Sequence, residues 1–248
     1  MGSGSDIVTR TEGPAGYILL DRPRRANAYR DATLEALSRA LAAHVEAEGV
    51  RVVVVGSAVP GRFSSGADLD ELGHRSGEDA LKLLSREVFD RLAACPKPTI
   101  AAVDGSAIAG GLELALACDL RLASSRAHFA MPETSLGLIP AAGATWRLPR
   151  LVGDAVARQM MLFGFELDAE QALRVGLVSA VVEPAALADR VQCWAERAAR
   201  LDPLALRLAK QALAAPTEGG ARELTRSGQA VLYERRHRGG PQDGGGVR

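Results

Sequence analysis

The 248 residues, 47% of them hydrophobic, are enough chain to bury one large α/β core or two small ones. Thirty basic and thirty acidic side chains cancel, which excludes a strong nonspecific hold on nucleic acid or an anionic membrane, and no apolar run approaches the roughly 20 residues of a membrane helix. Cys95, Cys118 and Cys193 are odd in number and far apart, so they predict neither a disulfide framework nor a zinc site and read as thiols packed like small apolar groups.

The start, Met1-Gly-Ser-Gly-Ser5, has neither the basic nor the apolar region of a signal peptide, and cytoplasmic residence is the default expectation. Ile7 to Thr11 and Tyr17 to Leu20 read as strands joined by a turn at Gly13-Pro14-Ala15-Gly16. Asp31 is the expected cap of a helix reaching Glu48, with Leu34, Leu37, Leu41 and Val45 on one face and Gly49 closing it. Arg51-Val-Val-Val-Val55 predicts a strand buried on both faces and ended by Gly56. A loop with Gly61 and Gly66 leads to a helix through Leu84 and Leu92, which Pro96-Lys-Pro98 breaks before the strand Thr99–Val103.

Gly105, Gly110 and Gly111 precede a helix from Leu112 to Cys118; Asp119–Ala123 and His128–Ala130 follow as short strands. From Gly143 the reading is helical, interrupted by a strand-like Gly176–Val182. This alternation predicts an α/β core over residues 1–195 and a helical region over 196–238, while the glycine-rich 239–248 is expected to be disordered. The four histidines, His44, His74, His128 and His237, stand beside no Ser or Cys in a nucleophile motif.

Two loops leading from strand to helix, Arg62–Leu69 and Gly105–Glu113, offer backbone N–H groups near helix starts. Neither is a phosphate loop or a dinucleotide fingerprint; aimed at one point, such donors form an oxyanion hole. Four motifs occur in order: Asp21-Arg-Pro-Arg-Arg-Ala-Asn-Ala28, Phe63-Ser-Ser-Gly-Ala-Asp-Leu69, Ala107-Ile-Ala-Gly-Gly-Leu-Glu-Leu-Ala-Leu-Ala-Cys-Asp119 and Phe129-Ala-Met-Pro-Glu-Thr-Ser-Leu-Gly-Leu-Ile-Pro140. Together they resemble the enoyl-CoA hydratase/isomerase, or crotonase, family from about Ile7 to Leu213.

The resemblance implies a crotonase-like spiral of ββα units with a C-terminal helical trimerisation region, assembled as a homotrimer or a dimer of trimers. It also implies an acyl-CoA thioester as substrate, with no nucleic acid, membrane, metal or separate cofactor. By position, Ala67 and Gly110 match the two oxyanion amides, and Glu113 and Glu133 match the two hydratase carboxylates. Arg24, Arg25, Ala28, Ser65, Ala67, Asp68, Leu69 and Gly110 match substrate- or CoA-binding positions. The two arginines read equally well as solvated loop charges, Asp68 and Asp119 read as structural, and Asn27 as a maker of local turn bonds.

Retention of both acids favours hydration of a 2-enoyl-CoA over the alternatives. These are another enolate reaction, such as isomerisation or thioester hydrolysis, and a non-catalytic acyl-CoA- or RNA-binding protein on the same fold. The chain departs from the family pattern where Ala141 and Ala144 stand for frequent glycines and Trp146 for a frequent glutamine. The indole is expected to pack in a core or an interface. The run Tyr233–Arg238 passes straight into glycine, where relatives often carry a further helix covering CoA.

Overall fold

The valine run fixes the middle of the molecule. In the computed structural model, which describes residues 5–74 and 76–237, it forms β3 (Val52–Ser57), its valines fully buried. Val53 and Val55 enter one apolar cluster, Val52 and Val54 another on the opposite face. A strand covered on both sides has no use for polar alternation. Gly56, expected to end it, lies within it.

The hairpin is tighter than the sequence suggests, because Ala15 and Gly16 pair with Glu12 and Thr11 and leave only Gly13 and Pro14 to turn between β1 (Ile7–Glu12) and β2 (Ala15–Leu20). A crossover through α1 (Asp31–Glu46) brings β3 parallel to β2. Arg30, not Asp31, occupies the cap position of α1: Thr33 Oγ1 accepts the Arg30 N–H at 3.3 Å, and Glu71 Oε2 accepts the Asp31 N–H at 3.1 Å.

Beyond β3 the strands come in pairs: β3 with β4 (Arg62–Ser64), β5 (Thr99–Val103) with β6 (Ser106–Ile108), and β7 (Leu120–Ser124) with β8 (His128–Ala130). The first of each pair joins a six-stranded sheet ordered β1-β2-β3-β5-β7-β10, and the second joins a four-stranded sheet ordered β4-β6-β8-β9, with β9 at Leu167–Asp168 and β10 at Ala180–Val182. Helices return the chain after each pair. Short α2 (Leu69–Leu72) and α3 (Gly77–Leu81) precede α4 (Leu84–Ala93); α5 (Gly110–Leu116) follows β6; α6 (Ala144–Phe163), broken at Gly153, follows β8. This is the expected spiral of ββα units.

Only the end of Gly176–Val182 is a strand. Leu177 N–H and Val178 N–H return to Ala172 O at 2.8 and 3.3 Å, closing α7 (Ala169–Arg174) through a left-handed Gly176. α8 (Leu187–Ala199) lays Leu187, Val191 and Ala195 over Val52 and Val54, so residue 195, the expected end of the core, lies inside a helix. The helix α9 (Pro203–Leu213) pairs with α10 (Glu218–His237) and docks through Lys210 Nζ, 2.8 Å from Asp119 Oδ2. The same Oδ2 accepts the Thr99 N–H at 2.7 Å, the structural role read for Asp119. The stretch expected to be disordered, 239–248, lies outside the described residues, among which no helix is long and apolar enough to cross a membrane.

Asn27 reaches farther than a local turn. Fully buried at φ 54°, it accepts the Arg22 N–H at 2.8 Å and donates to Ser57 Oγ at 2.7 Å and to Phe63 O at 3.1 Å, tying the β2–α1 loop to the ends of β3 and β4. Asn27→Ala strands these buried partners and puts a Cβ without local bonding in the left-handed region, so we expect a loss of about 3 kcal/mol in urea unfolding. A change within about 0.5 kcal/mol, typical of an unengaged surface residue, would refute that role.

Candidate active site

Two loops meet at closest range where β4 and β6 end. Gly66 has φ 93°, and a Cβ built there would stand 3.0 Å from Gly110 N; a Cβ on Gly110 would stand 2.0 Å from the Tyr29 hydroxyl. Only glycine admits that approach. Tyr29 N–H donates to Gly66 O and Asp68 N–H donates to Tyr29 O, both at 2.8 Å, so residues 66–68 lie extended along Tyr29. Among the described residues, neither the Ala67 nor the Gly110 N–H reaches a backbone carbonyl, and both residues line one cavity of about 440 Å³.

Asp68 holds this loop in place. It caps α2 through the Asp70 N–H at 3.2 Å and accepts Arg22 Nη1 at 3.0 Å, and the same nitrogen also donates to Ala28 O. Burial raises the carboxyl's pKa, but the Arg22 hydrogen bond and the Asp70 amide outweigh it and hold Asp68 below the ordinary carboxylate range. Asp68 therefore borders the cavity as an ionised anchor.

Glu113 and Glu133 project into the same cavity from the first turn of α5 and from the 3₁₀ turn Glu133–Leu136. Glu113 is 3% exposed, and its Oε1 accepts the Ala142 and Ala144 N–H groups at 2.8 and 3.0 Å. Burial holds its pKa above the ordinary value, outweighing those amides and Arg147, which favour the anion. Glu133 is 8% exposed, and neither of its oxygens finds a donor among the described residues. Burial, opposed by the backbone amide of Glu133 itself and reinforced by the charge of Glu113, pushes Glu133 up to about 7. Both carboxyls are thus harder to ionise than a free one, and the amide hydrogen bonds to Glu113 make it the better placed of the two to carry a charge, an inequality of the kind acid–base chemistry uses.

Of the other positions matched from sequence, Ala28, Ser65, Leu69 and Arg25 line the cavity. Arg25 is exposed at its mouth, 2.9 Å from Asp70 Oδ2. Arg24, beside Arg25 on the 3₁₀ turn Pro23–Arg25, is exposed and does not line the cavity. Trp146, expected in a core or an interface, is 38% exposed in the single chain with its ring 5.4 Å from the Arg147 guanidinium. The sequence reading missed Arg22, Tyr29 and the apolar walls Leu72, Leu83, Leu136 and Ile139. The only signal for Tyr29 was its place directly after Asn27-Ala28; Arg22 and Asp68 are 46 residues apart, and nothing local couples them.

The family model for enoyl-CoA hydratase/isomerase matches residues 10–239. The short-chain-enoyl-CoA hydratase of Clostridium acetobutylicum is 36% identical over 211 residues, covering 84% of this chain and 81% of that protein. The crotonyl-CoA hydratase of Syntrophomonas wolfei is 36% identical over 224 residues, covering 90% and 85%. The crystal structure of enoyl-CoA hydratase from Bacillus anthracis superposes with a TM-score of 0.87 at 33% identity, covering 92% of this chain and 91% of that one.

Glu133 also makes stability depend on pH. Its native pKa of about 7 lies above the ordinary 4.5, so the stability kept by the neutral carboxyl is complete below about 4.5 and lost as pH rises to about 7. Above that, ionisation costs about 2 kcal/mol after allowance for solvent screening. Glu133→Gln should match the parent's unfolding midpoint near pH 4.5 and exceed its stability by that amount at pH 8. Denaturant curves at both values decide it; an equal effect at the two would contradict the assigned cause.

Proposed function

The chain belongs to the enoyl-CoA hydratase/isomerase family, and we propose that it is an enoyl-CoA hydratase, a carbon–oxygen lyase that adds water across the 2,3 double bond of a 2-enoyl-CoA thioester. The observation that carries this reading is the unequal pair of buried carboxyls in one cavity, Glu113 served by two amides and Glu133 by no protein donor among the described residues.

In the proposed reaction the thioester oxygen accepts the Ala67 and Gly110 N–H groups. Glu113 takes a proton from water as its oxygen bonds to Cβ; the π electrons pass to the thioester oxygen, giving an enolate. The enolate collapses as Cα takes the proton of Glu133. The proton held by Glu113 then returns to Glu133, so the cycle consumes one substrate and one water. No oxidation state changes overall, so the scheme calls for no redox cofactor, and the Ala67 and Gly110 amides take the part a Lewis-acid metal would play at the thioester oxygen. A well-placed acid or base contributes about 10² to 10⁴ in rate, and each oxyanion donor roughly 3 kcal/mol.

Leu72, Leu83, Leu136 and Ile139 give the cavity apolar walls, which suit an apolar acyl chain. Arg25 at the mouth and Arg24 beside it are the proposed partners of CoA phosphates, Arg25 exchanging Asp70 for the ligand. A homotrimer or dimer of trimers is proposed for the assembly; the support is that Leu213, Leu224, Val231 and Tyr233 on α9 and α10 stay exposed in the single chain. A cytoplasmic location is proposed from the three free thiols, which suit a reducing compartment.

Glu113→Gln and Glu133→Gln should each lower kcat for crotonyl-CoA hydration by about 10² to 10⁴ while circular dichroism reports an intact fold. A folded variant of either kind that hydrates at the parent rate would overturn the assignment.

A further inference from the structure

Arg147 does not line the catalytic cavity, yet it ties the turn that serves Glu113 to α4. Nη1 donates to Ala142 O at 3.0 Å, and Nη2 donates to Asp90 Oδ1 of α4 at 2.6 Å. The guanidinium carbon lies 5.4 Å from the Trp146 ring centroid, a cation–π contact. The side chain is only 14% exposed. Gly143 has φ 134°, and a Cβ there would fall 1.9 Å from Arg147 Nη1, so the guanidinium lies against the peptide between the two amides that bond Glu113.

These contacts control the direction in which the turn's N–H groups point. The Ala142 N–H that bonds Glu113 belongs to the peptide whose carbonyl, Ala141 O, accepts Arg86 Nε at 3.3 Å. The next peptide presents Ala142 O to Arg147. The third presents the Ala144 N–H to the same Glu113 Oε1. With its carbonyl side drawn to arginines, the turn faces the carboxylate with its amide side, and each peptide so polarised is the stronger donor.

We infer that Arg147 is a positioning residue for Glu113, acting through the Ala142–Ala144 turn. The inference rests on the reading of Glu113 as the base in hydration. The charged groups around Glu113 are Arg147 of α6, Glu133 of the 3₁₀ turn, and Arg86 and Asp90 of α4, which reach it only through the turn and through Arg147. Arg147 supplies both a positive charge and the fork that binds Ala142 O and Asp90 together. Lysine keeps the first and loses the second.

The test compares Arg147→Gln and Arg147→Lys with the parent in two readouts. These are the pH profile of kcat/KM and the ¹³C carboxyl titration of Glu113 in the unliganded protein, assigned by its absence in Glu113→Gln. Arg147→Gln should move the acid limb and the Glu113 titration upward together by about one pH unit, a tenfold change in proton affinity, with KM within twofold. Arg147→Lys should shift both in the same direction by less, and it carries the test alone if the glutamine variant fails to fold. Loss of stability with neither titration moved would leave Arg147 merely structural and overturn the inference. If Glu113→Gln is inactive while both arginine variants titrate like the parent, the inference falls and the hydratase reading stands. If Glu113→Gln still hydrates, the reading of Glu113 falls and takes the inference with it.

Discussion

The structure turns on a backbone-to-backbone contact between the Gly66 loop and the first turn of α5. Because a Cβ on Gly66 would come within 3.0 Å of Gly110 N, the two loops can stand side by side, and the Ala67 and Gly110 amides share one cavity. The rest of the local architecture maintains this contact. Tyr29 runs alongside residues 66–68, Arg22 and Asp68 hold the loop from behind, and Asn27 anchors the segment that carries Tyr29 to β3 and β4. Removing water from such a site strengthens every dipole aimed into it.

Burial also underlies the roles proposed for the acids. Both carboxyls are almost inaccessible, yet Glu113 accepts two amides of the Ala142–Ala144 turn, whereas Glu133 is opposed in its shift only by its own backbone amide. Glu133 sits where its charge is disfavoured, which suits the proton-donor role proposed for it. The same burial that suits Glu133 to its proposed role costs stability as pH rises from about 4.5 to about 7, a local conflict of the kind functional sites retain.

Much of this was legible in the sequence. Val52–Val55 announced a strand covered on both faces, and the leucines of α1 announced a helix with one buried side. Of the second sheet only β8 was legible, because β4, β6 and β9 are two or three residues long and carry no periodicity. Residues 62–64 and 106–108 therefore read as loop. Gly176–Val182 read as strand because its apolar residues are contiguous, although Gly176 and the two residues after it close a helix. At the site, Glu113 and Glu133 could be marked by motif position, and the structure brings them into one cavity. The partners that separate their behaviour, Ala142 and Ala144 for one and none among the described residues for the other, arise from a turn about thirty residues downstream of Glu113. No local pattern reports such a contact.

The most direct test of two acids sharing one activated alkene is the fate of solvent atoms. Crotonyl-CoA is incubated with the protein in D₂O enriched in ¹⁸O, and the product is read by mass spectrometry and NMR. The account predicts a 3-hydroxyacyl-CoA with ¹⁸O on C3 and a single deuterium at C2. Label in a free carboxylate, or deuterium at C4 with the double bond displaced, would mean that the cavity performs a different reaction.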